Sequence, residues 1–218
     1  IYDPSTGVWS TTGDMTEGRT RHHAVLLKDG DVLVVGSNSS EIYDVSAGTW
    51  NEAGDLPSDH GRQFSTTVLS DGKILVAGGG HSRWVEGVEV SPPTPVDNTD
   101  IYDPSTGKWS AAGPMVMAEL GHTASLLQDG RVLIVGPISA QMYDPASDSW
   151  SEAGSMQTER GAPMIEGPSS SFHTATVLND GRVIIIGGNT LELNKFGQAN
   201  DRTGIGSVEI YNPDTGWE

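Results

Sequence analysis

Short apolar segments alternate with turn-forming residues along the whole chain, and this pattern predicts many short β-strands. Continuous apolar runs such as residues 32–35 (VLVV) and 183–186 (VIII) each follow an Asp-Gly pair. A run of this length between turn signals is typical of a strand that is covered on both faces. A more mixed segment of Ala, Ser, Thr, Val and Leu precedes each Asp-Gly pair. We therefore expect the two segments to form a hairpin with a two-residue turn.

A second motif recurs between these hairpins and shows that the pattern is a repeat. Residues 1–9 (IYDPSTGVW) return as residues 101–109 (IYDPSTGKW), and looser copies lie elsewhere. The Asp-Pro-x-Thr-Gly turn predicts a bulged hairpin in which Gly takes a positive φ, and Asp148 takes that place in one copy. Each unit is therefore predicted to contain four antiparallel strands. The looser copies are residues 42–50, 142–150 and 210–217.

The distances between landmark residues stay constant from one copy to the next. Trp is followed six residues later by Met or Leu, and a His or Phe lies seven residues before the turn Asp. The interval from the Gly after the second strand to Tyr is seven residues in two units and 24 in the others. Constant spacing favours a propeller, because a β-sandwich requires no fixed repeat. The expansions lie at 79–100, 160–171 and 188–208.

A hydrophobic strand that ends in Gly or Gly-Gly, followed by Tyr and then Trp, resembles the kelch repeat in the bacterial style of galactose oxidase-like proteins. The resemblance covers essentially the whole chain. It implies an all-β fold, a kelch-type β-propeller of four-stranded antiparallel blades. Single glycines, Gly36 and Gly136, replace the double glycine in two units, and Phe64 replaces His in one. We expect these blades to bend differently where the second strand ends.

We expect one propeller region with four complete blades after half of another. The first and second strands occur four times, whereas the third and fourth occur five times. Kelch propellers usually have about six or seven blades, so the chain is predicted to be part of a longer one. The alternative is self-association, in which open propeller edges pair with another copy. The predicted boundaries are 1–12 for the half blade and 13–53, 54–112, 113–153 and 154–218 for the blades.

Charge and composition exclude several classes of partner. The chain has 12 Lys and Arg against 29 Asp and Glu, and its net charge of −17 repels nucleic-acid phosphates and anionic lipids. No apolar stretch approaches the roughly 20 residues of a membrane span. The absence of cysteine excludes disulfides, thiolate nucleophiles and cysteine metal sites. Few lysines and abundant Asp favour an extracellular or cell-surface location.

All three expansions fall at one end of the predicted blades, opposite the two constant turns. Recognition residues are commonly carried by loops on a rigid scaffold, so this end is the predicted binding face. Trp84 is the one Trp outside the repeat, and beside an Arg it suits stacking on a sugar or anchoring a protein. The alternative is that it packs its loop onto its own blade. The candidate binding residues are His81, Arg83, Trp84, Lys195, Phe196 and Arg202.

Three histidines open first strands and would lie near a central channel, where imidazoles can hold copper or another transition metal. These candidate ligands are His22, His122 and His173. The alternative is that each hydrogen-bonds to the neighbouring blade. Acidic residues in the expansions, such as Asp97, could supply oxygens to calcium, although their spacing is not that of an EF-hand.

The resemblance to galactose oxidase-like enzymes implies a copper-ligand His preceded by a Tyr ligand, and a Tyr cross-linked to Cys. The chain contains no Cys, so copper-radical chemistry does not fit the residues present. No residue pattern marks a nucleophile elbow or an ordered triad either. The residues that precede the three histidines are Arg21, Gly121 and Phe172.

The sequence favours a non-catalytic recognition scaffold that binds a protein or a glycan through the expansion-bearing face. The first alternative is the central domain of a copper-dependent carbohydrate oxidase-like enzyme. The second is a structural repeat module of a cell-surface or filamentous assembly. The favoured interpretation needs no cofactor, whereas copper or calcium belongs to the metal hypotheses. It predicts no nucleic-acid partner and no membrane insertion.

Overall fold

The computed structural model describes residues 1–82, 84–86, 88–89, 93–137, 139–160, 173–193 and 199–218. Side chains are described throughout these ranges except at 84–85, 88–89, 190–193 and 199–203. All regular secondary structure in these ranges is β-strand. Among the same residues there is no helix of the length and apolar character needed to cross a membrane.

The described residues form four antiparallel sheets of four strands, each with its strands in chain order, after a two-stranded half blade. We call the sheets blades 1 to 4. The half blade pairs β1 (Tyr2–Asp3) with β2 (Val8–Trp9). Blade 1 contains β3 (His23–Leu26), β4 (Val32–Val35), β5 (Ser39–Asp44) and β6 (Thr49–Asp55).

Blade 2 begins with β7 (Ser65–Val68) and β8 (Ile74–Ala77), and four short insertion strands follow: β9 (Gly80–His81), β10 (Trp84–Val85), β11 (Val88–Glu89) and β12 (Thr94–Pro95). It ends with β13 (Thr99–Asp103) and β14 (Lys108–Ala111). Blade 3 contains β15 (Thr123–Leu126), β16 (Val132–Val135), β17 (Ser139–Asp144) and β18 (Ser149–Ser155). Blade 4 contains β19 (Thr174–Val177), β20 (Val183–Ile186), the insertion strands β21 (Asn189–Leu193) and β22 (Ala199–Gly204), then β23 (Val208–Asn212) and β24 (Gly216–Trp217).

The first strands β3, β7, β15 and β19 lie side by side, so the blades fan out around a common axis. Three apolar cores fill the three interfaces between consecutive blades. Strand β8 serves two of them: Ile74 and Val76 belong to the core shared with blade 1, whereas Leu75 and Ala77 belong to the core shared with blade 3. A strand that is buried on both faces needs an unbroken apolar run, as the sequence predicted.

The burial of the last residue of each second strand depends on the neighbouring blade and not on the residue type alone. The last residue of the second strand is at most 1 % exposed in blades 1 to 3, at Val35, Ala77 and Val135. The equivalent Ile186 of blade 4 is 45 % exposed, because no described blade packs against that face. Self-association through such open edges stays a prediction.

The turn between the first and second strands differs from the expected two-residue turn. Leu27 N donates to Asp31 O at 2.8 Å and Gly30 N donates to Leu27 O at 3.1 Å, which defines a three-residue loop. Gly30 has a φ of 99°, but Asp29 is not among the residues with positive φ. Its carboxylate instead accepts from Asp31 N at 3.1 Å. The prediction of a two-residue turn was therefore wrong.

Two other predictions about backbone conformation are confirmed. In the Asp-Pro-x-Thr-Gly turns Gly7 and Gly107 have φ of 71° and 66°, and Asp148 takes the same left-handed conformation at 49°. The second strand also ends differently in alternate blades: both members of the Gly78–Gly79 and Gly187–Gly188 pairs have positive φ, whereas Gly36 and Gly136 do not.

The long expansions contain β-hairpins where the sequence suggested only loops. β9 pairs with β12, β10 with β11, and β21 with β22, all antiparallel. These strands lack the continuous apolar run that marks a strand buried on both faces, so the sequence pattern did not identify them. Residues 161–171 of the expansion at 160–171 and residues 194–198 of the expansion at 188–208 lie outside the described residues.

Candidate functional site

The two ends of the blades differ in construction. One end carries the turns between the first and second strands and between the third and fourth strands, which are short in every blade. The other end carries the connections between second and third strands, with their insertion hairpins, and the links between blades. We call this end the insertion face and the opposite end the turn face. Loops held by a rigid scaffold commonly bind partners, so the insertion face is the candidate recognition surface.

A polar groove of about 290 Å³ opens on the insertion face between blades 1 and 2. Both kinds of connection contribute to it, the inter-blade links and the segments after the second strands. Hydroxyl, guanidinium, imidazole and carboxylate groups line it together. Among its lining residues are Thr20, Arg21, Ser37, Asp59, His81 and Ser82.

A larger depression of about 540 Å³ lies on the turn face, lined by Lys28, Asp71, Lys73 and Pro104 among others. Its walls are the constant turns, and these are built the same way in each blade: the carboxylate of Asp71, for example, accepts from Lys73 N at 3.0 Å. Because this depression follows from turn geometry that every blade shares, it is a weaker candidate than the groove.

His81 is the predicted binding residue that the structure places in the groove. Its Nε2 donates to the carbonyl oxygen of Asp59 at 3.0 Å, and its Nδ1 lies 3.8 Å from the Asp59 carboxylate. The side chain is nevertheless 43 % exposed. His81 therefore fastens strand β9 to the link before blade 2 while one edge of its ring faces solvent.

The backbone beside the groove is strained at two residues. Arg21 and Gln63 adopt left-handed φ of 57° and 61°, and the equivalent residue of blade 3 is Gly121, with φ of 66°. For a residue with a Cβ this conformation costs about 1–2 kcal/mol, a strain that is concentrated at functional sites. Sequence reasoning missed this feature, because nothing in the residue types signals it. Arg21 is exposed in the groove.

The structure describes the other predicted binding residues only in part. Arg83, Lys195 and Phe196 lie outside the described residues. Trp84 lies in β10 opposite Glu89, and Arg202 lies in β22 opposite Leu191. Both belong to insertion hairpins, and their role in binding stays a prediction.

The histidines that open the first strands contact the preceding blade. His122 Nε2 lies 2.8 Å from Ser65 Oγ, and His173 Nε2 lies 3.1 Å from Thr123 Oγ1 and 3.0 Å from Val135 O. Phe64, their counterpart in blade 2, stacks on His23 with a centroid distance of 4.7 Å. His22 is exposed, because no first strand among the described residues packs against it.

Burial keeps the two inner imidazoles neutral. It lowers the pKa of His122 to about 3 and that of His173 to about 4. Their Nδ1 atoms are buried without a hydrogen-bond partner. Among the described residues no group of three or more His, Asp or Glu side chains is arranged to hold a metal ion. A metal at His22, His122 and His173 therefore stays a prediction that no observed cluster supports, and calcium in the expansions stays a prediction as well.

Buried pairs of a basic and an acidic side chain fasten the inter-blade links in three blades. Arg19 Nε donates to Glu41 at 3.0 Å, His60 Nε2 lies 3.1 Å from Asp100, and Arg160 Nη2 donates to Glu209 at 2.9 Å. The sequence held a signal for these pairs that was missed. In these blades the basic residue lies four residues after the Met or Leu landmark, and the acidic residue two residues before Tyr. Each pair joins an inter-blade link to the third long strand of the blade that follows it.

Comparisons with known proteins agree with this architecture. The family model described as the Kelch motif matches residues 61–116. These residues run from the link before blade 2 to the link after it. The chain thus carries a kelch motif in this segment, and its four-stranded blades are arranged around one axis as in a β-propeller.

The solved structure of YjhT is similar over 94 % of this chain and 84 % of its own, with a TM-score of 0.55. The two sequences are 13 % identical, so the likeness is one of fold. No curated protein matches the sequence significantly.

Proposed function

We propose that this propeller is a protein-recognition scaffold and that its partner binds over the groove on the insertion face. The observation that carries the proposal is the polar groove itself, with the side chain of Arg21 exposed in it. The left-handed backbone of Arg21 is a feature of the repeat, since Gln63 and Gly121 share it, and the groove is not. The kelch-repeat fold supports the same conclusion, because such propellers commonly act in protein interaction.

The character of the groove favours a protein surface over a small enclosed substrate. Small-molecule sites are mostly apolar and bury most of the ligand surface. This groove is open and lined chiefly by polar groups, and its one aromatic contribution is the imidazole of His81. Polar grooves of this size suit a protruding loop of a partner, with a few side chains inserted.

The charge of the chain and of the groove restricts the kind of group that the partner presents. The chain carries a net charge of −17, yet Arg21 is exposed in the groove and makes no hydrogen bond or ion pair with the described residues. An unpaired guanidinium is a forked donor that matches a carboxylate. We therefore expect the partner to present an Asp or Glu side chain, or a chain-terminal carboxylate, to Arg21.

Arg21→Glu should weaken binding of the natural partner at least about tenfold, because charge reversal removes the fork and repels the incoming carboxylate. The measurement is quantitative capture from extracts of the source cells, followed by titration of the captured protein. Lys108→Glu is the matched control, since it makes the same charge change at an exposed site on the turn face.

Equal melting temperatures of the two variants would show that both still fold. If Arg21→Glu binds as tightly as the wild type, or if Lys108→Glu loses binding equally, the groove is not the binding site. Capture of glycans in place of proteins would contradict the assignment to protein recognition.

A further inference from the structure

Blade 3 departs from the ion pairs that fasten the other blades. Glu119 occupies the position of Arg19, His60 and Arg160, and Gln141 occupies the position of their carboxylate partners. Glu119 is 5 % exposed. Blade 3 therefore has a buried acid in the place of a buried cation, and a neutral amide in the place of its partner.

The carboxyl group fills the same space as the guanidinium of blade 1. A methyl group added at Gly36 would lie 2.7 Å from Arg19 Nη1, and one added at Gly136 would lie 2.3 Å from Glu119 Oε2. Arg19 Nη1 donates to the carbonyl oxygen and hydroxyl of Ser39 at 2.9 and 2.8 Å. The group that packs against the glycine is thus a hydrogen-bond donor in blade 1.

An ionised carboxylate has no proton to donate. Glu119 Oε1 accepts a hydrogen bond from Ser139 Oγ at 2.8 Å, and this contact joins the link to the start of β17. Gln141 is already occupied, because its amide exchanges two hydrogen bonds with the backbone of Met117 at 2.9 Å. The ionised carboxylate can only accept, whereas the neutral acid can accept from Ser139 and also carries a proton to donate.

Few titratable groups face Glu119. On its own link the next titratable residue along the chain is His122, which burial keeps neutral. Beside Gly79, the buried His60 bonds to Gly78 O at 2.8 Å and to Asp100 at 3.1 Å. From blade 2, the backbone of Val96 and Gly79 bonds to that of Glu119, and the charged residue beside them is the exposed Asp97. The described residues provide no ion-pair partner for Glu119. Burial accordingly raises its pKa from 4.5 to about 7.

We propose that Glu119 is a proton-dependent latch: its neutral acid closes blade 3 as the guanidinium closes blade 1, and its ionisation loosens the connection between β16 and β17. The folded state binds the proton more tightly than the unfolded chain does. The stabilisation is therefore complete below about pH 4.5 and is lost as the pH rises through about 7.

Residue-resolved amide hydrogen exchange tests the latch in the wild-type protein. Gly136 N donates to Ser139 O at 2.9 Å, and its counterpart Gly36 N donates to Ser39 O at 2.8 Å. After correction for intrinsic exchange, the protection factor of the Gly136 amide should fall at least about tenfold between pH 5.5 and 8.5. A tenfold change corresponds to a difference of roughly one unit between the pKa of Glu119 in the closed and in the opened connection. The protection factor of the Gly36 amide should not fall in this way, because Arg19 stays charged over this pH range. Parallel behaviour of the two amides would overturn the proposal.

Glu119→Gln supplies the second measurement, because the amide stays neutral at every pH. Its melting temperature should exceed that of the wild type by about 5 °C at pH 8.5 and by much less at pH 5. Glu152→Gln, at an exposed site in the same blade, should show no such difference. The latch would be refuted if the two proteins had the same melting temperature at pH 8.5, or if the difference between them were the same at both pH values.

Discussion

Replacing Arg160 with leucine should lower the free energy of unfolding by about 3–5 kcal/mol, because it leaves the carboxylate of Glu209 without its cation. The Arg160 side chain is fully buried and Nη2 donates to Glu209 at 2.9 Å. Its Nη1 also donates to the carbonyl oxygens of Gly187 and Ser207, at 2.6 and 3.0 Å. The substitution thus leaves the Glu209 carboxylate and two carbonyl oxygens without the hydrogen bonds that Arg160 donates to them, at the base of the blade 4 insertion. Urea denaturation at pH 7 measures the loss.

Two further variants test whether the loss of stability comes from the buried ion pair or would follow from removing any arginine. Arg182→Leu removes an exposed ion pair with Asp180 in the same blade, and such pairs contribute only about 0–1 kcal/mol. The double variant Arg160→Leu with Glu209→Leu should recover part of the loss, since it removes the unpaired charge as well. A loss at Arg160 no larger than that at Arg182 would contradict the role given to the buried pairs.

Gly79→Ala should destabilise the protein by at least about 3 kcal/mol, because its backbone is left-handed and has no room for a methyl group. Gly79 has a φ of 106°, and an added Cβ would lie 2.1 Å from the carbonyl oxygen of His60. The backbone must therefore move, although Gly79 N donates to Glu119 O at 2.7 Å and holds the links on both sides of blade 2 together.

Gly107→Ala is the matched control for this prediction. Gly107 is also left-handed, with φ of 66°, but the nearest atom to an added Cβ is the Tyr102 hydroxyl at 4.0 Å. Its substitution should cost only the backbone strain of about 1 kcal/mol. Equal losses in the two variants, measured by urea denaturation, would show that the close approach of Gly79 to the link is not required for stability.

The sequence predicted those parts of the fold that depend on local pattern. The apolar run of β8 predicted a strand buried on both faces, and the turn containing Gly107 predicted a positive φ. Both signals act through the residues themselves, by burial of alternate side chains and by the conformational freedom of glycine. The type of the Asp-Gly turn was missed, because Asp29 can bond to the backbone of Asp31 without taking a positive φ.

Contacts between blades could not be predicted in the same way. His22 and His122 occupy the same place in the repeat, yet His22 is exposed and His122 is buried against Ser65. The difference comes from the preceding blade, which lies far away in sequence. The pairing of Arg160 with Glu209 likewise joins residues 49 positions apart. Such pairs emerge from the sequence only when equivalent positions of all blades are compared.

The candidate recognition site shows the same limit. The spacing of the insertions separated the two ends of the blades, and His81, which lines the groove, was predicted as a binding residue from its place in the first expansion; its role in binding stays a prediction. The groove itself forms where the link before blade 1 meets the link before blade 2, at Arg21 and Asp59. Neither residue lies in an expansion, so expansion length gave no reason to choose them.

Site-specific photo-cross-linking tests the claim that the insertion face is the recognition surface most directly. A benzophenone amino acid would replace Thr20 or His81 in the groove or, on the turn face, Lys108, and each protein would be irradiated in extracts of the source cells. We expect one discrete partner protein to be cross-linked from positions 20 and 81 and not from position 108. A partner cross-linked from position 108 alone, or equally from all three positions, would contradict the claim.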